Sequence, residues 1–145
     1  MIDRLKNDLK EAMRRRDALA TSTLRMLISQ VQYLRIELKR EPGEEELLTV
    51  LQRAVKTRRE SVEQYRKGGR PDLADKEEAE IALIQHYLPE AMSPTEVERA
   101  VDALIGELGV TGKKDLGRVM KEFMARYRGR VDGKTVNTLI ASRLQ

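Results

Sequence analysis

The chain has 145 residues, of which 40% are hydrophobic and 36% charged, with a formal net charge of +4. This is enough apolar material for one ordinary domain or two small ones, and too much for a disordered tail. The absence of cysteine excludes disulfides, thiolate zinc sites and thiol nucleophiles and fits a reducing compartment, while Phe123 and four tyrosines are too few rings for a base-stacking RNA platform.

The opening stretch MIDRLKNDLK carries charges every few residues and has no apolar core. Nowhere do 18 apolar residues run together, so neither an export signal nor a membrane span is expected, and the expected address is the cytosol. Apolar residues recur at helical spacing almost throughout, which predicts an all-α fold. Ile2, Leu5, Leu9 and Met13 form the stripe of a first helix that ends near Arg14, Arg15 and Arg16, charges suited to a helix C-terminus. Asp17 is the expected N-cap of a second helix, striped by Leu24, Leu27, Val31, Leu34 and Leu38.

After the turn signal EPGEEE, a third helix repeats that rhythm with Leu48, Leu51, Val55, Val62 and Tyr65, so the short loop predicts an antiparallel hairpin of helices two and three. Arg58 falls on the apolar seam. Its expected state is a stem along the seam with the head in water; the alternative is a buried ion pair with a glutamate across the hairpin. KGGRPDL then stops the third helix and starts a fourth, with Leu73, Ala74, Ala79, Ile81, Ile84 and Leu88 inward, ended by Pro89.

LPEAMSP is the expected boundary between an N-terminal helical domain, residues 1–90, and a C-terminal three-helix domain, residues 91–145. Ser93, Pro94, Thr95 and Glu96 make a capping box that opens a fifth helix, lined by Val97, Val101, Leu104 and Ile105 and stopped by Gly109. Leu116, Val119, Met120, Phe123 and Met124 line a sixth helix ending near Gly129. Val136, Leu139, Ile140 and Leu144 line a seventh, opening around Asp132.

Catalytic patterns are weak. The only histidine is His86, placed near a helix C-terminus where a solvated imidazole needs no further role. Carboxylate runs such as EEE at 44–46 and DKEEAE at 75–80 sit beside helix starts and are explained by the helix dipole and solubility. Neither RKGGRP nor GVTGKKD has the spacing of a phosphate-cradling loop. No metal, no cofactor and no intrinsic enzymatic activity are expected.

Charge location is more informative. From Lys113 onward nine Lys and Arg face three Asp and Glu, whereas residues 1–90 hold 18 against 17. If the apolar stripes turn inward, Lys113, Lys114, Arg118, Lys121, Arg126, Arg128, Arg130 and Lys134 are expected on one outward surface that phosphates can bridge. Amides and dipole at the start of the seventh helix would add to it. Asp132 and Asn137 are assigned first to capping and turn geometry, with RNA hydrogen bonding second.

The order of motifs adds a resemblance. DLGRVMKEFMARYRGRVDGKTVNTLI, residues 115–140, resembles the tail domain of the GatB/YqeY family, shared by the B subunit of the glutamine-dependent Asp/Glu-tRNA amidotransferase and the free-standing YqeY-like proteins. The matching positions are Gly117, Val119, Met120, Gly129, Asp132, Gly133, Lys134, Val136, Asn137 and Leu139. Upstream, LKEAMRRRD, STLRMLISQV and RRESVEQYRKGGRPDLADKEEAEIALIQHYLPE are similar to the helical half of the free-standing proteins. The resemblance implies a two-part helical fold and a tail that helps hold tRNA. Joined to the charge pattern, it makes tRNA or another structured RNA the expected partner, with Lys113, Lys114, Arg118, Lys121, Arg126, Arg128, Arg130, Lys134 and Asn137 as the expected contact residues.

Two other roles stay open: docking of the long N-terminal hairpin on a partner enzyme, such as an aminoacylation or amidotransferase-related protein, or, as the family's label implies, serving as an auxiliary part of a carbon–nitrogen ligase with glutamine as amido donor. No ATP loop, metal cluster or glutaminase nucleophile in the sequence supports the ligase role. Ala125 stands where many members carry proline, which implies a sixth helix running on for another turn.

Overall fold

Seven α-helices and one 3-10 turn organise residues 1–145, all of which the computed structural model describes; there is no strand, as the all-α expectation requires. The helices are α1 (Ile2–Arg14), α2 (Ala18–Leu38), α3 (Glu44–Lys67), α4 (Pro71–Gln85), α5 (Pro94–Leu108), α6 (Leu116–Tyr127) and α7 (Gly133–Arg143), with the 3-10 turn at Lys113–Asp115. The chain divides into two compact units, Met1–Leu88 and Pro89–Gln145.

The breaks follow from local chemistry. Arg16 enters the left-handed region at φ 56°, which lets its N–H reach the Met13 carbonyl at 3.1 Å and the Asp17 N–H reach Ala12 at 2.9 Å, closing α1. Asp17 then caps α2, its carboxylate accepting from the Ala20 N–H at 3.0 Å. At the start of α3 the Glu46 carboxylate accepts the Gly43 N–H at 2.9 Å, while α4 opens on Pro71 and α5 on the Ser93–Glu96 capping box. Gly109 closes α5 at φ 66°.

In the first unit, Leu5, Leu24, Leu27, Val31, Leu51, Val55, Ile81 and Ile84 form the core. The extensive pairings are α1 with α2 and α3 with α4. The expected hairpin of α2 and α3 is a shorter contact, because α1, at 13 residues, packs extensively with the 21-residue α2 and takes up part of it. Leu34 and Leu38 are therefore only half-buried, and Tyr33 and Ile36 are exposed at 75% and 73%.

Two inward assignments shift by one residue. Met13 is exposed and Ala12 takes the buried place; Ala79 is exposed and Glu80 is buried. Glu80 goes inward because Arg58 is there: the guanidinium of Arg58 lies 3.2 Å from Glu80 and 4.0 Å from Glu77, and donates to the Ala54 carbonyl at 3.1 Å. With its side chain only 14% exposed, Arg58 does not hold its head in water, and its acidic partners come from α4 rather than α2. Burial first, and then repulsion from Glu80, push the Glu77 carboxyl above its ordinary value.

In the second unit Phe123 is fully buried among Val101, Leu104, Val119, Val136 and Ile140, with the Tyr127 ring 4.7 Å away. Burying such a ring contributes on the order of 2–3 kcal/mol, which matters in a unit this small. The α6–α7 turn holds Gly129 buried at φ 86°, a conformation that an L side chain adopts only with strain. The Gln145 N–H donates to Thr111 at 2.9 Å and the Lys113 N–H to Gln145 at 3.3 Å, tying the last residues to the segment before the 3-10 turn.

Candidate nucleic-acid interface

The second unit sorts its charges by helix. On α5, Glu107 receives a two-pronged contact from Arg126, both distances 2.9 Å, and Asp102 receives Arg143 at 2.9 Å. Glu96 lies 3.9 Å from Arg130. The Arg126 guanidinium holds the Glu107 carboxyl below the usual carboxylate range, and the same contact raises Arg126 further. These pairs are exposed, so solvent screens them and each contributes little to folding. Their larger effect is to commit three arginines internally.

Arg130 is committed twice over. Its Nε donates to the Glu90 carbonyl at 2.8 Å and its own carbonyl accepts from the Met92 N–H at 3.0 Å, so the residue clasps the start of the unit to the α6–α7 turn. Arg128 is half-buried beside it, at the end of α6.

Lys113, Lys114, Arg118, Lys121 and Lys134 differ: all are exposed and none forms an ion pair. On α6, Leu116, Val119, Met120, Phe123 and Met124 occupy the inner face, so Arg118 and Lys121, three residues apart, share the outer one. Lys113 and Lys114 precede them in the 3-10 turn. Residues 128–132 lead the chain into α7, which packs against α6, with the Cβ direction of Gly133 3.9 Å from the Met124 methyl. Lys134 in the first turn of α7 and Asn137 in the next are exposed.

The nine expected contact residues are therefore not equivalent. Arg126 and Arg130 face the acids of α5 and Arg128 is half-buried. Apart from Arg99 on α5, the cations without an ion pair lie in the 3-10 turn, on α6 and at the start of α7. Helix α6 ends at Tyr127, so Arg126 belongs to its last turn, the continuation past Ala125 that the resemblance implied. Two assignments change. Asn137 sits inside α7 and cannot cap it. The N-cap of α7 is Asp132, whose carboxylate accepts the Thr135 hydroxyl at 2.9 Å, so an incoming phosphate there would meet a negative charge.

Elsewhere, the Tyr87 hydroxyl donates to the Asp8 carboxylate and the Arg4 guanidinium stacks 4.6 Å from the Tyr87 ring centre, also donating to the His86 carbonyl at 3.3 Å. Burial and the Asp8 contact push the Tyr87 phenol well up. This contact fastens the end of α4 to α1, and nothing local in the sequence signals it, since Asp8 and Tyr87 are 79 residues apart. The His86 side chain is exposed. No group of three or more His, Asp or Glu side chains converges as a metal ligand set, and no helix is long and apolar enough to cross a membrane.

Fold and surface together define a class: an all-helical protein of two units, the second carrying a cationic helical hairpin whose lysines are uncommitted. The YqeY-like protein family matches residues 2–144, and the chain belongs to that family. Among its relatives is the protein named altered inheritance of mitochondria protein 41, mitochondrial. The one from Vanderwaltozyma polyspora is 36% identical over 107 residues, 72% of this chain and 58% of that protein. The one from Pyrenophora tritici-repentis is 31% identical over 144 residues, 97% of this chain and 78% of that protein. The one from Eremothecium gossypii is 37% identical over 111 residues, 74% and 60% of the two chains. The chain thus spans less than two thirds of the Vanderwaltozyma and Eremothecium proteins.

Proposed function

We propose that this protein is a non-catalytic accessory protein whose C-terminal unit holds structured RNA, tRNA foremost, by its backbone. The observation that carries the reading is the sorting of charge in Pro89–Gln145. Glu96, Asp102 and Glu107 on α5 engage Arg130, Arg143 and Arg126, while Lys113, Lys114, Arg118, Lys121 and Lys134 carry no ion pair. A cation without an internal partner breaks no protein contact when a phosphate arrives, so its full counterion-release gain goes to binding. Exposed Asn137 beside Lys134 supplies a neutral amide for a 2′-hydroxyl or a base edge. The tRNA preference rests on the resemblance of residues 115–140 to the amidotransferase tail.

Backbone contacts give steep salt dependence and modest sequence choice. Titrating a labelled tRNA transcript by fluorescence anisotropy at about 50 and 200 mM salt is expected to show tight binding that weakens sharply at the higher concentration. Absence of binding at both would refute the reading. The mitochondrial names of the fungal relatives sit with it, since tRNA is present inside mitochondria as well as in the cytosol.

A second reading has one observation in its favour. Tyr33 and Ile36 stand exposed, three residues apart, on the same stretch of α2. If this stretch docks on an aminoacylation or amidotransferase-related enzyme, a complex recovered from cells would survive charge reversal of the lysines and be lost with Tyr33→Ala and Ile36→Ala.

A further inference from the structure

The first unit carries a cationic feature that the resemblance does not assign. Where α1 turns into α2, a shallow cavity of about 370 Å³ is lined by Met13, Arg16, Ala18, Thr21, Ser22 and Arg25. No carboxylate lines it. By contrast, Arg14, Arg35, Arg40, Arg66 and Arg70 each hold an acid within 3.3 Å. The nearest acid in sequence, Asp17, is engaged with the Ala20 N–H as the cap of α2.

Arg16 and Arg25 are exposed and form no ion pair. The terminal nitrogen of Arg25 rests 3.5 Å from the Met13 sulfur, a weak acceptor that a phosphate oxygen outcompetes. The Arg16 backbone is fixed in the left-handed region by the bonds that close α1, which sets the direction in which its side chain leaves. Glycine would occupy that backbone position with less strain, so the conformation itself does not call for an arginine. Ser22 has its hydroxyl on the Leu19 carbonyl at 3.2 Å, and the Thr21 hydroxyl makes no bond within the protein.

We propose that Arg16 and Arg25, with the Thr21 hydroxyl, form a site for a backbone phosphate of the bound RNA, so that the N-terminal unit contributes phosphate contacts of its own. Guanidinium forks suit this task because two N–H groups meet two phosphate oxygens at once. The inference rests on the RNA reading above and adds a second contact region to it.

The test compares three forms of the full chain: wild type, Arg16→Gly with Arg25→Gln, and Lys113→Gln with Lys114→Gln and Lys121→Gln. Arg16→Gly suits the positive φ, so the first variant keeps its fold, which circular dichroism checks. Binding of a labelled tRNA transcript is measured across a salt series, and the slope of log K against log salt is read for each. Each phosphate contact accounts for about 0.7–0.9 of slope, so the arginine variant, which loses one, is expected to lose about 0.7–0.9. A wild-type slope in the arginine variant, with a reduced slope in the lysine variant, overturns the second site and leaves the RNA reading standing. Unchanged slopes in both variants, or no binding by wild type, overturn both.

Discussion

Replacing Arg58 by methionine isolates the buried charge cluster of the first unit. The substitution keeps an unbranched stem in a seam beside Met26 but removes the guanidinium that pairs with Glu80 and Glu77. The side chains of Arg58 and Glu80 are 14% and 12% exposed, so the abandoned carboxylates sit largely out of water. Breaking a fully buried pair costs about 3–5 kcal/mol; with this residual exposure the expected loss is about 2–4 kcal/mol, a large part of a typical domain's 5–15 kcal/mol. Substituting Glu80→Met as well removes the stranded charge and is expected to restore most of the loss, since apolar replacement of a buried pair is often neutral.

Amide hydrogen exchange separates the two units. The slowest amides of the first unit, around Leu27, Leu51 and Ile84, are expected to exchange roughly 30 to 1,000 times faster in Arg58→Met, at about 1.36 kcal/mol per tenfold. Those around Val119, Phe123 and Ile140 belong to the other unit and are expected to keep their wild-type rates. A change below about threefold near Leu51 would mean that water screens the cluster, and the burial argument would fail.

Two further outcomes test the same core. Glu77 has its pKa raised in the folded state, so the stability it contributes is fully present below the unfolded carboxylate value of about 4.3 and is lost as pH rises through the folded value. Urea unfolding of wild type and Glu77→Gln is thus expected to show the variant gaining on wild type between pH 4 and 7; a gap independent of pH would contradict the assignment. The Thr23 hydroxyl is buried with no hydrogen-bond partner, so Thr23→Val, of nearly equal shape, is expected to stabilise the protein by about 1 kcal/mol in thermal unfolding. A destabilised variant would show that the hydroxyl is satisfied in solution.

Helix order was legible because each break carries its own chemistry: Asp17, Pro71, the Ser93 box and Gly109 act through neighbours a few residues away. The partners of the charged residues were not. Arg58 and Glu80, Arg126 and Glu107, and Arg143 and Asp102 lie 22, 19 and 41 residues apart, and helical spacing predicts which face a residue takes but not which helix it meets. That limit explains why the sequence places Arg126 and Arg130 on the same footing as the lysines. These two arginines carry length and charge that α5 uses internally, whereas the plainer lysines at 113, 114 and 121 are left to solvent. Arg16 and Arg25 do not stand out in the sequence for the opposite reason: the first unit is nearly neutral overall, and a local lack of acids does not show in a segment count.

At 16.6 kDa the chain is small enough for amide mapping by NMR, which offers the most direct check that uncommitted cations, and not the clasped arginines, receive the RNA. On adding tRNA at low salt, the amides of Lys113, Lys114, Arg118, Lys121, Lys134 and Asn137 are expected to shift, while the Arg126–Glu107 and Arg143–Asp102 pairs stay in place. Shifts confined to the face bearing Tyr33 and Ile36, or none at all, would contradict the account.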